Sequence, residues 1–235
     1  MAFSAGIMLS RKTKAAYFGV MRVPMFLSGR FYRALLAPRS LNVRTVKVQL
    51  GPGQKNYLPG WINVDANFVT ARCDVWANIQ DSLPFPDLSV DVFYSHHVIE
   101  HIPDRQLVRH FADMHRCLKP GGLIRIGGPN GDMAMRKYLS EDSEWFGNFP
   151  DPHESIGGKL KNFILCRNEH LTILTPSYLR EIALLSGYES AIFCTAGQST
   201  TEPDLIDSDV LQQESWSSPN EPHTIIVECR KTADR

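Results

Sequence analysis

The chain has 235 residues, of which 43% are hydrophobic and 21% are charged. This is ordinary globular composition, and it excludes disordered, collagen-like and coiled-coil proteins. Lysine plus arginine balance aspartate plus glutamate at 25 each, so no overall positive field favours a nucleic-acid partner. The five cysteines are scattered and form no CxxC pair, which argues against a disulfide framework and a thiolate zinc site. We therefore expect a cytoplasmic protein built around one domain of ordinary size.

Residues 1–40 carry seven basic residues and no acidic one, so the rest of the chain has a formal net charge of −7. Between Thr13 and Leu36 the basic residues alternate with aromatic and aliphatic ones, which predicts a basic helical extension interrupted near Pro24. A transit peptide is disfavoured because serine is sparse. Such helices are marginal alone and must pack on something. The candidates are the rim of the active site, which we favour, a second subunit in a homodimer, or an anionic membrane contacted through residues 11–39.

From residue 41 onwards, alternating strand and helix patterns predict an α/β domain that covers residues 41–235. The predicted strands are Arg44–Leu50, Trp61–Asp65, Cys73–Ala77, Val90–Ser95, Leu123–Ile126, Ser190–Thr195 and Thr224–Cys229. Two helices are predicted at Asp104–Leu118 and Pro176–Ser186, the second with Thr175 as its N-cap. No clear crossover helix separates the last two strands, so we expect them to form an antiparallel pair.

Two long segments fall outside this strand and helix pattern. Residues 129–174 are predicted to form an irregular insertion, and insertions of this length are often lids or binding loops. Residues 198–222 carry six acidic residues and no basic one, which predicts a solvated excursion.

The first strand ends in Gly51-Pro52-Gly53, and the second strand ends in Asp65. Ligands of open α/β sheets bind at the carboxyl ends of strands, where glycines let the backbone approach and a carboxylate can accept ribose hydroxyls. The third glycine of a dinucleotide fingerprint is missing, and the 14 residues from Gly51 to Asp65 are too few for its helix. These departures disfavour an NAD-type oxidoreductase and favour a nucleoside ligand without phosphates.

Three motifs follow in order: LGPGQKNYLPGWINVD, LPFPDLSVDVFYSHHVIEHI and LKPGGLIRI. In order and spacing they resemble the class I S-adenosylmethionine-dependent methyltransferases, most closely the short-looped type 11 group that is often found near polysaccharide-biosynthesis genes. The resemblance covers roughly residues 43–128 and, more weakly, two later segments. It implies a Rossmann-like α/β fold with a seven-stranded, mostly parallel sheet in the order 3-2-1-4-5-7-6 and helices on both faces. It also implies S-adenosylmethionine as the cofactor.

The resemblance places the cofactor contacts at the carboxyl ends of the first four strands. These residues are Gly51, Pro52, Gly53, Asp65, Ala66, Asn78, Ile79, Ser95 and His96. The family commonly has a cysteine where this chain has Pro52. It usually has an acidic residue, which reads the adenine amino group, where this chain has Asn78, with Asp81 as the nearby alternative. Asn78 can still accept that hydrogen bond through its amide oxygen, and Ile79 would supply an apolar wall.

The segment His97-x-x-Glu100-His101 spells a zinc-peptidase motif. That motif needs a position in the middle of a helix, whereas this one directly follows a buried strand. Related ubiquinone-type O-methyltransferases carry a Glu-x-x-Glu-His metal site at this place, and His97 here replaces the first glutamate. A divalent ion on these three residues is one alternative. We favour the alternative that Glu100 and His101 cap and orient the next helix and that no metal is bound.

His170 and His97 are the candidate catalytic residues, and His153 is the third candidate. A methyltransferase must hold its acceptor in line with the methyl group. A base with a pKa near neutrality helps to remove the proton of a hydroxyl acceptor, and histidine suits this role. The resemblance places His170 on the substrate side.

The sequence thus predicts an S-adenosylmethionine-dependent methyltransferase that acts on a small-molecule or glycan acceptor, with O-methylation as the preferred reaction. The alternative is a non-catalytic methyltransferase-fold subunit that serves binding or assembly. Of the remaining polar candidates, Asp91 is predicted to be structural, and His110 and His115 are predicted to lie on the surface.

Overall fold

The computed structural model describes residues 11–37, 44–214 and 220–233. Within these ranges one sheet contains the strands β1 (Lys47–Leu50), β2 (Ile62–Asp65), β3 (Val75–Trp76), β4 (Val90–His96), β5 (Leu118–Pro129), β6 (Ile192–Cys194) and β7 (Thr224–Arg230). The helices are α1 (Arg11–Phe31), α2 (Asp104–Cys117), α3 (Gly131–Leu139), α4 (Ile156–Leu165), α5 (Pro176–Leu185) and α6 (Ser208–Glu214). A π-helical turn, Tyr32–Leu36, extends α1, and the 3-10 turns Ile99–His101 and Cys166–Asn168 follow β4 and α4.

The strand order is β3-β2-β1-β4-β5-β7-β6, which confirms the predicted Rossmann-like sheet. Strands β1 to β5 pair in parallel, whereas β7 runs antiparallel to both β5 and β6. The predicted antiparallel pairing of the last two strands is therefore also confirmed. The carboxyl ends of β1 to β5 meet at one edge of the sheet, which is where a ligand site is expected.

The two faces of the sheet are covered differently. The larger core lies between one face and the helices α2 and α5, with Phe93, Phe111 and Ile182 among its buried residues. The other face carries a smaller cluster that includes Tyr94 and the α6 residue Val210. Because the connection from β1 to β2 is too short to hold a helix, α6 covers this second face instead.

The sequence predicted that the acidic segment 198–222 is a solvated excursion. This prediction is wrong, because α6 lies within the segment and packs on the sheet. A buried ion network holds it there. The Arg125 guanidinium on β5 donates to the Glu214 carboxylate at 2.6 and 2.9 Å and to the Glu228 carboxylate at 2.5 Å. All three side chains are 0–1% exposed. The charge of the segment is thus partly an internal counter-charge for Arg125.

The insertion 129–174 is also more regular than predicted, because it contains α3 and α4. Each helix has a polar N-cap: Asn130 accepts from the Met133 N–H, and Ser155 accepts from the Gly158 N–H. The predicted N-cap of α5, Thr175, is confirmed by its acceptance of the Tyr178 N–H.

Helix α1 continues through Pro24 rather than stopping there. Its inner face is held by packing: Met25 is buried, and the Tyr32 ring lies edge-on to Phe85 with 5.9 Å between centroids. This packing offsets the backbone hydrogen bond that proline removes. The predicted boundary between an extension at 1–40 and a domain at 41–235 lies outside the described residues.

The outer face of α1 carries large apolar side chains. They are Val20, Val23, Leu27 and Phe31, and they are called the outer stripe below. Each is more than half exposed, from 55% at Phe31 to 72% at Val20. Their spacing of three and four residues places them on one side of the helix. No helix in the described part of the chain combines the length and hydropathy that crossing a bilayer requires.

Candidate functional site

The turn after β1 contains two glycines with left-handed backbones, and only the first of them is crowded. Gly51 has φ of +72°, and a Cβ there would lie 2.4 Å from a methyl carbon of Val98. Gly53 has φ of +59°, with open space where a Cβ would stand. Pro52 between them is buried. The two glycines give the turn a backbone shape that L side chains rarely adopt, and they leave room above Gly53 for a ligand.

Asp65 ends β2 beside this turn. One carboxylate oxygen accepts the Gly53 N–H at 3.0 Å, and the other accepts the Asn67 N–H at 2.8 Å. Burial raises the pKa of Asp65, and these backbone N–H groups act in the opposite direction. A carboxylate can accept about four hydrogen bonds, so acceptor capacity remains for a ribose hydroxyl.

Helix α1 reaches this edge of the sheet. The Tyr17 hydroxyl donates to the Ala66 carbonyl oxygen at 2.8 Å, and the Trp76 indole N–H donates to the same oxygen at 2.8 Å. Phe68 lies against the Trp76 ring with 4.8 Å between centroids. The backbone after Asp65 is therefore fixed from both sides, and part of the N-terminal helix lies next to the predicted cofactor residues.

Asn78 and Ile79 follow β3 at the same edge. The Asn78 side-chain oxygen accepts the Gln80 N–H at 3.0 Å, and its backbone oxygen accepts the Asp81 N–H at 3.1 Å. Ile79 packs against the larger core. Since an amide oxygen has two lone pairs, Asn78 retains one acceptor position.

Ser95 and His96 end β4. The Ser95 side chain is buried, and its hydroxyl has no hydrogen-bond partner among the described residues. The His96 ring stacks on Tyr94. It also lies so close to Gly127 that a Cβ atom at position 127 would be 2.5 Å from the ring. Burial lowers the pKa of His96, and electrostatic interactions with His97 and Arg125 add to this effect. His96 is thus a neutral ring packed into the sheet, and its role toward the cofactor stays a prediction.

His97 follows β4 with a left-handed backbone, φ of +56°. Its Nδ1 lies 3.2 Å from the Glu100 carboxylate, and its Nε2 lies 3.1 Å from the Thr224 hydroxyl. Glu100 is buried, which on its own would raise its pKa. The hydrogen bond with His97 and electrostatic interactions with the surrounding histidines outweigh this and lower the pKa of Glu100.

His101 and His170 complete this group. His101 Nδ1 donates to the Glu169 carbonyl oxygen at 3.0 Å, and the two imidazole rings lie edge to face with 5.1 Å between centroids. The Leu171 N–H donates to the Glu100 carbonyl oxygen at 2.7 Å. The prediction that Glu100 and His101 cap the next helix is therefore wrong, because α2 begins at Asp104 with no side-chain cap. They bind the segment that carries His170 instead.

The structure thus brings the two candidate catalytic histidines, His97 and His170, to one buried carboxylate. His153, the third candidate, packs against Gly158 instead. His110 is buried rather than on the surface as predicted, and burial lowers its pKa to about 4. The sequence analysis did not identify Thr224 as a site residue. Thr224 is the first residue of β7, and nothing in its neighbouring sequence indicates a contact with His97.

Asp91 has the structural role that was predicted. It accepts the Val46 N–H at 2.7 Å and pairs with Lys119 at 2.6 Å. Away from the carboxyl edge, a surface cavity is lined by Tyr57, Asp209 and Gln213, among others. Tyr57 lies in the return loop before β2, so this cavity is separate from the residues described above.

The sheet order and the glycine turn define a Rossmann-like domain of the methyltransferase type. Residues 34–126 match a family model described as a methyltransferase domain. The match and the fold support a class I S-adenosylmethionine-dependent methyltransferase, an enzyme whose cofactor is S-adenosylmethionine.

Solved structures of similar fold were also found. An S-adenosylmethionine-dependent methyltransferase of Thermotoga maritima, described as a possible histamine N-methyltransferase, aligns over 94% of this chain and 95% of that chain, at 17% identity and a TM-score of 0.50. An S-adenosylmethionine-dependent methyltransferase of Archaeoglobus fulgidus aligns over 93% and 99%, at 15% identity and a TM-score of 0.49. At these identities the likeness concerns the fold alone. No match was found among curated proteins.

Proposed function

We propose that the chain methylates a hydroxyl group of a small molecule or glycan, in the cytoplasm and as part of polysaccharide biosynthesis. The observation that carries the O-methylation proposal is the placement of His97 and His170 around the buried Glu100 carboxylate, next to the carboxyl end of β4. A hydroxyl acceptor needs a base for its proton, and this cluster offers one. The polysaccharide link rests on the sequence resemblance.

The residues at the carboxyl edge fit the cofactor. S-adenosylmethionine, when bound, supplies a methyl group on a positively charged sulfur, which an acceptor atom displaces in line. The Asp65 carboxylate retains acceptor capacity for a ribose hydroxyl, and the turn leaves space above Gly53. Asn78 and Ile79 offer one acceptor and an apolar surface to adenine.

His170 is placed to take the proton of the acceptor hydroxyl. Its Nδ1 lies 3.0 Å from the Ile164 carbonyl oxygen, so Nδ1 carries the proton and Nε2 carries the lone pair. Burial lowers the pKa of His170, which keeps the ring neutral and able to accept a proton at pH 7. His97 is oriented by Glu100 and Thr224 and is the second candidate base.

The test is label transfer from methyl-labelled S-adenosylmethionine into fractions of small molecules and glycans. We expect a labelled product stable to mild base, as a methyl ether is, and a loss of about 10²–10⁴-fold in kcat/KM for His170→Gln. His115→Gln, which changes a half-buried histidine that packs on Tyr188, is the matched control. Label on nitrogen would contradict O-methylation, and label in a base-labile ester would contradict a hydroxyl acceptor. Cofactor binding without turnover on any fraction would favour the non-catalytic alternative.

We also propose that α1 contacts an anionic membrane through its outer stripe. Arg22 and Arg30 are exposed on the same helix, and α1 contains no acidic residue. An exposed apolar stripe next to arginines is typical of helices that lie on anionic bilayers. The protein should co-sediment with vesicles that contain phosphatidylserine, and the double variant Val23→Asp/Leu27→Asp should no longer do so. If the same variant instead converts a dimer to a monomer, the stripe is a homodimer interface.

A further inference from the structure

Three side chains with metal-binding atoms converge from two separate segments. Glu100 and His101 lie in the turn after β4, and His170 follows the 3-10 turn after α4. One ligand atom from each lies within 4.8 Å of the others. His97, which the sequence motif groups with Glu100 and His101, is not in this set. Both of its ring nitrogens are engaged, one by Glu100 and one by Thr224.

Hydrogen bonds fix the tautomers of the two histidines. His101 Nδ1 lies 3.0 Å from the Glu169 carbonyl oxygen, and His170 Nδ1 lies 3.0 Å from the Ile164 carbonyl oxygen. A carbonyl oxygen can only accept, so Nδ1 of each ring carries the proton and Nε2 carries the lone pair. Histidines that bind metals are held in this way, with the second nitrogen donating to a carbonyl or carboxylate.

The third ligand is an incompletely bonded buried carboxylate. The Glu100 side chain is 1% exposed, and its Oε1 bonds to His97. Its Oε2 has no hydrogen-bond partner among the described residues. A buried carboxylate oxygen without a partner is costly, and a cation facing it would remove that cost.

We propose that Glu100 Oε2, His101 Nε2 and His170 Nε2 bind one divalent transition-metal ion, with Zn²⁺ as the best fit. Two imidazoles and one carboxylate suit Zn²⁺, whereas Mg²⁺ and Ca²⁺ prefer oxygen ligands throughout. Zinc–ligand distances of about 2.0–2.2 Å place ligand atoms at most about 4 Å apart, so side-chain movements of under about 1 Å close the site.

Three protein ligands leave a coordination position for water or an oxygen of a bound molecule. A metal ion on His170 Nε2 excludes the base role given to His170 above. Only the choice of base and the identity of that oxygen as the acceptor's rest on the proposed function. With the ion bound, His170 is a ligand, and His97 remains as the candidate base.

The test is a titration of chelator-treated, full-length protein with Zn²⁺ against a chromophoric competitor, and with Co²⁺ followed by its visible absorption. We expect one ion per chain and the intense Co²⁺ bands of four- or five-coordinate geometry. Loss of an outer partner typically costs about 10–100-fold in metal affinity, so we expect about 10-fold for His97→Gln and at least about 100-fold for each ligand variant.

The ligand variants are Glu100→Gln, His101→Gln and His170→Gln, and the matched control is His115→Gln. Circular dichroism identifies any variant that fails to fold, and the three independent ligand variants keep the test decisive. Absence of stoichiometric Zn²⁺ binding, unchanged affinity in the folded ligand variants, or preference for Mg²⁺ would overturn the proposal. Because methyl transfer is not the readout, failure of the proposed function leaves this result unaffected.

Discussion

Removal of the Asp65 carboxylate should weaken cofactor binding by an amount that its hydrogen bonds set. The carboxylate accepts backbone N–H groups, among them those of Gly53 and Asn67, and it retains acceptor capacity for ribose. Hydrogen bonds to a charged group contribute about 1.5–3 kcal/mol. Asp65→Ala should therefore raise the Kd of the cofactor by roughly 10- to 150-fold. Asp65→Asn keeps one acceptor oxygen and should therefore lose less cofactor affinity than Asp65→Ala.

The assay is calorimetric titration with S-adenosylhomocysteine, the product form of the cofactor. Asp204→Ala, which changes an exposed carboxylate in the connection between β6 and β7, is the matched control and should bind as the wild type does. Circular dichroism and thermal unfolding establish that the Asp65 variants are folded. A folded Asp65→Ala protein with wild-type affinity would refute the assignment of the ribose site.

Two further predictions concern stability. The folded-state pKa of His110 is about 4, against 6.5 for a free histidine, so the unfolded chain binds more protons between these values and stability falls as the pH drops through them. Between pH 7 and pH 5, wild type should lose about 2 kcal/mol more unfolding free energy than His110→Gln. Urea unfolding at both pH values checks this, with Arg109→Gln, which changes an exposed residue of the same helix, as control. Equal losses in wild type and His110→Gln would contradict it. Glu214→Leu leaves the buried Arg125 with one counter-charge fewer and should lower the unfolding free energy by about 3–5 kcal/mol. A change below about 1 kcal/mol in the same assay would show that the network does not hold α6.

The fold was predictable because its signals are local. The short apolar strands and the N-cap at Thr175 each depend on neighbouring residues. The segment Pro120-Gly121-Gly122, in contrast, lies inside β5 and does not precede it. The sheet order followed from the family resemblance that the three motifs carry. The cofactor edge followed in the same way, because carboxyl ends of parallel strands meet.

The wrong predictions concern polar and charged residues whose burial or pairing the sequence analysis did not anticipate. Residues 198–222 seemed solvated because they are acidic, but Glu214 is the counter-charge of Arg125 on a distant strand. His110 was assigned to the surface as a polar residue, although it lies three residues from Leu107 and four from Met114 on the apolar side of α2. That helical spacing was a usable signal.

The cluster around Glu100 could not be derived from spacing. Glu100 and His170 are brought together by the backbone bond from Leu171 and by the turn after α4, where Cys166, Arg167 and Asn168 adopt left-handed backbone conformations. Left-handed backbone conformations at residues other than glycine are uncommon, and no sequence pattern predicts them here.

A structure of the protein with S-adenosylhomocysteine tests the central claim most directly. The account predicts the ribose on Asp65, the adenine beside Asn78 and Ile79, and the sulfur at the end of β4, facing the cluster of Glu100 and His170. A ligand bound elsewhere, such as in the cavity beside Tyr57, or a sulfur turned away from that cluster, would contradict the account.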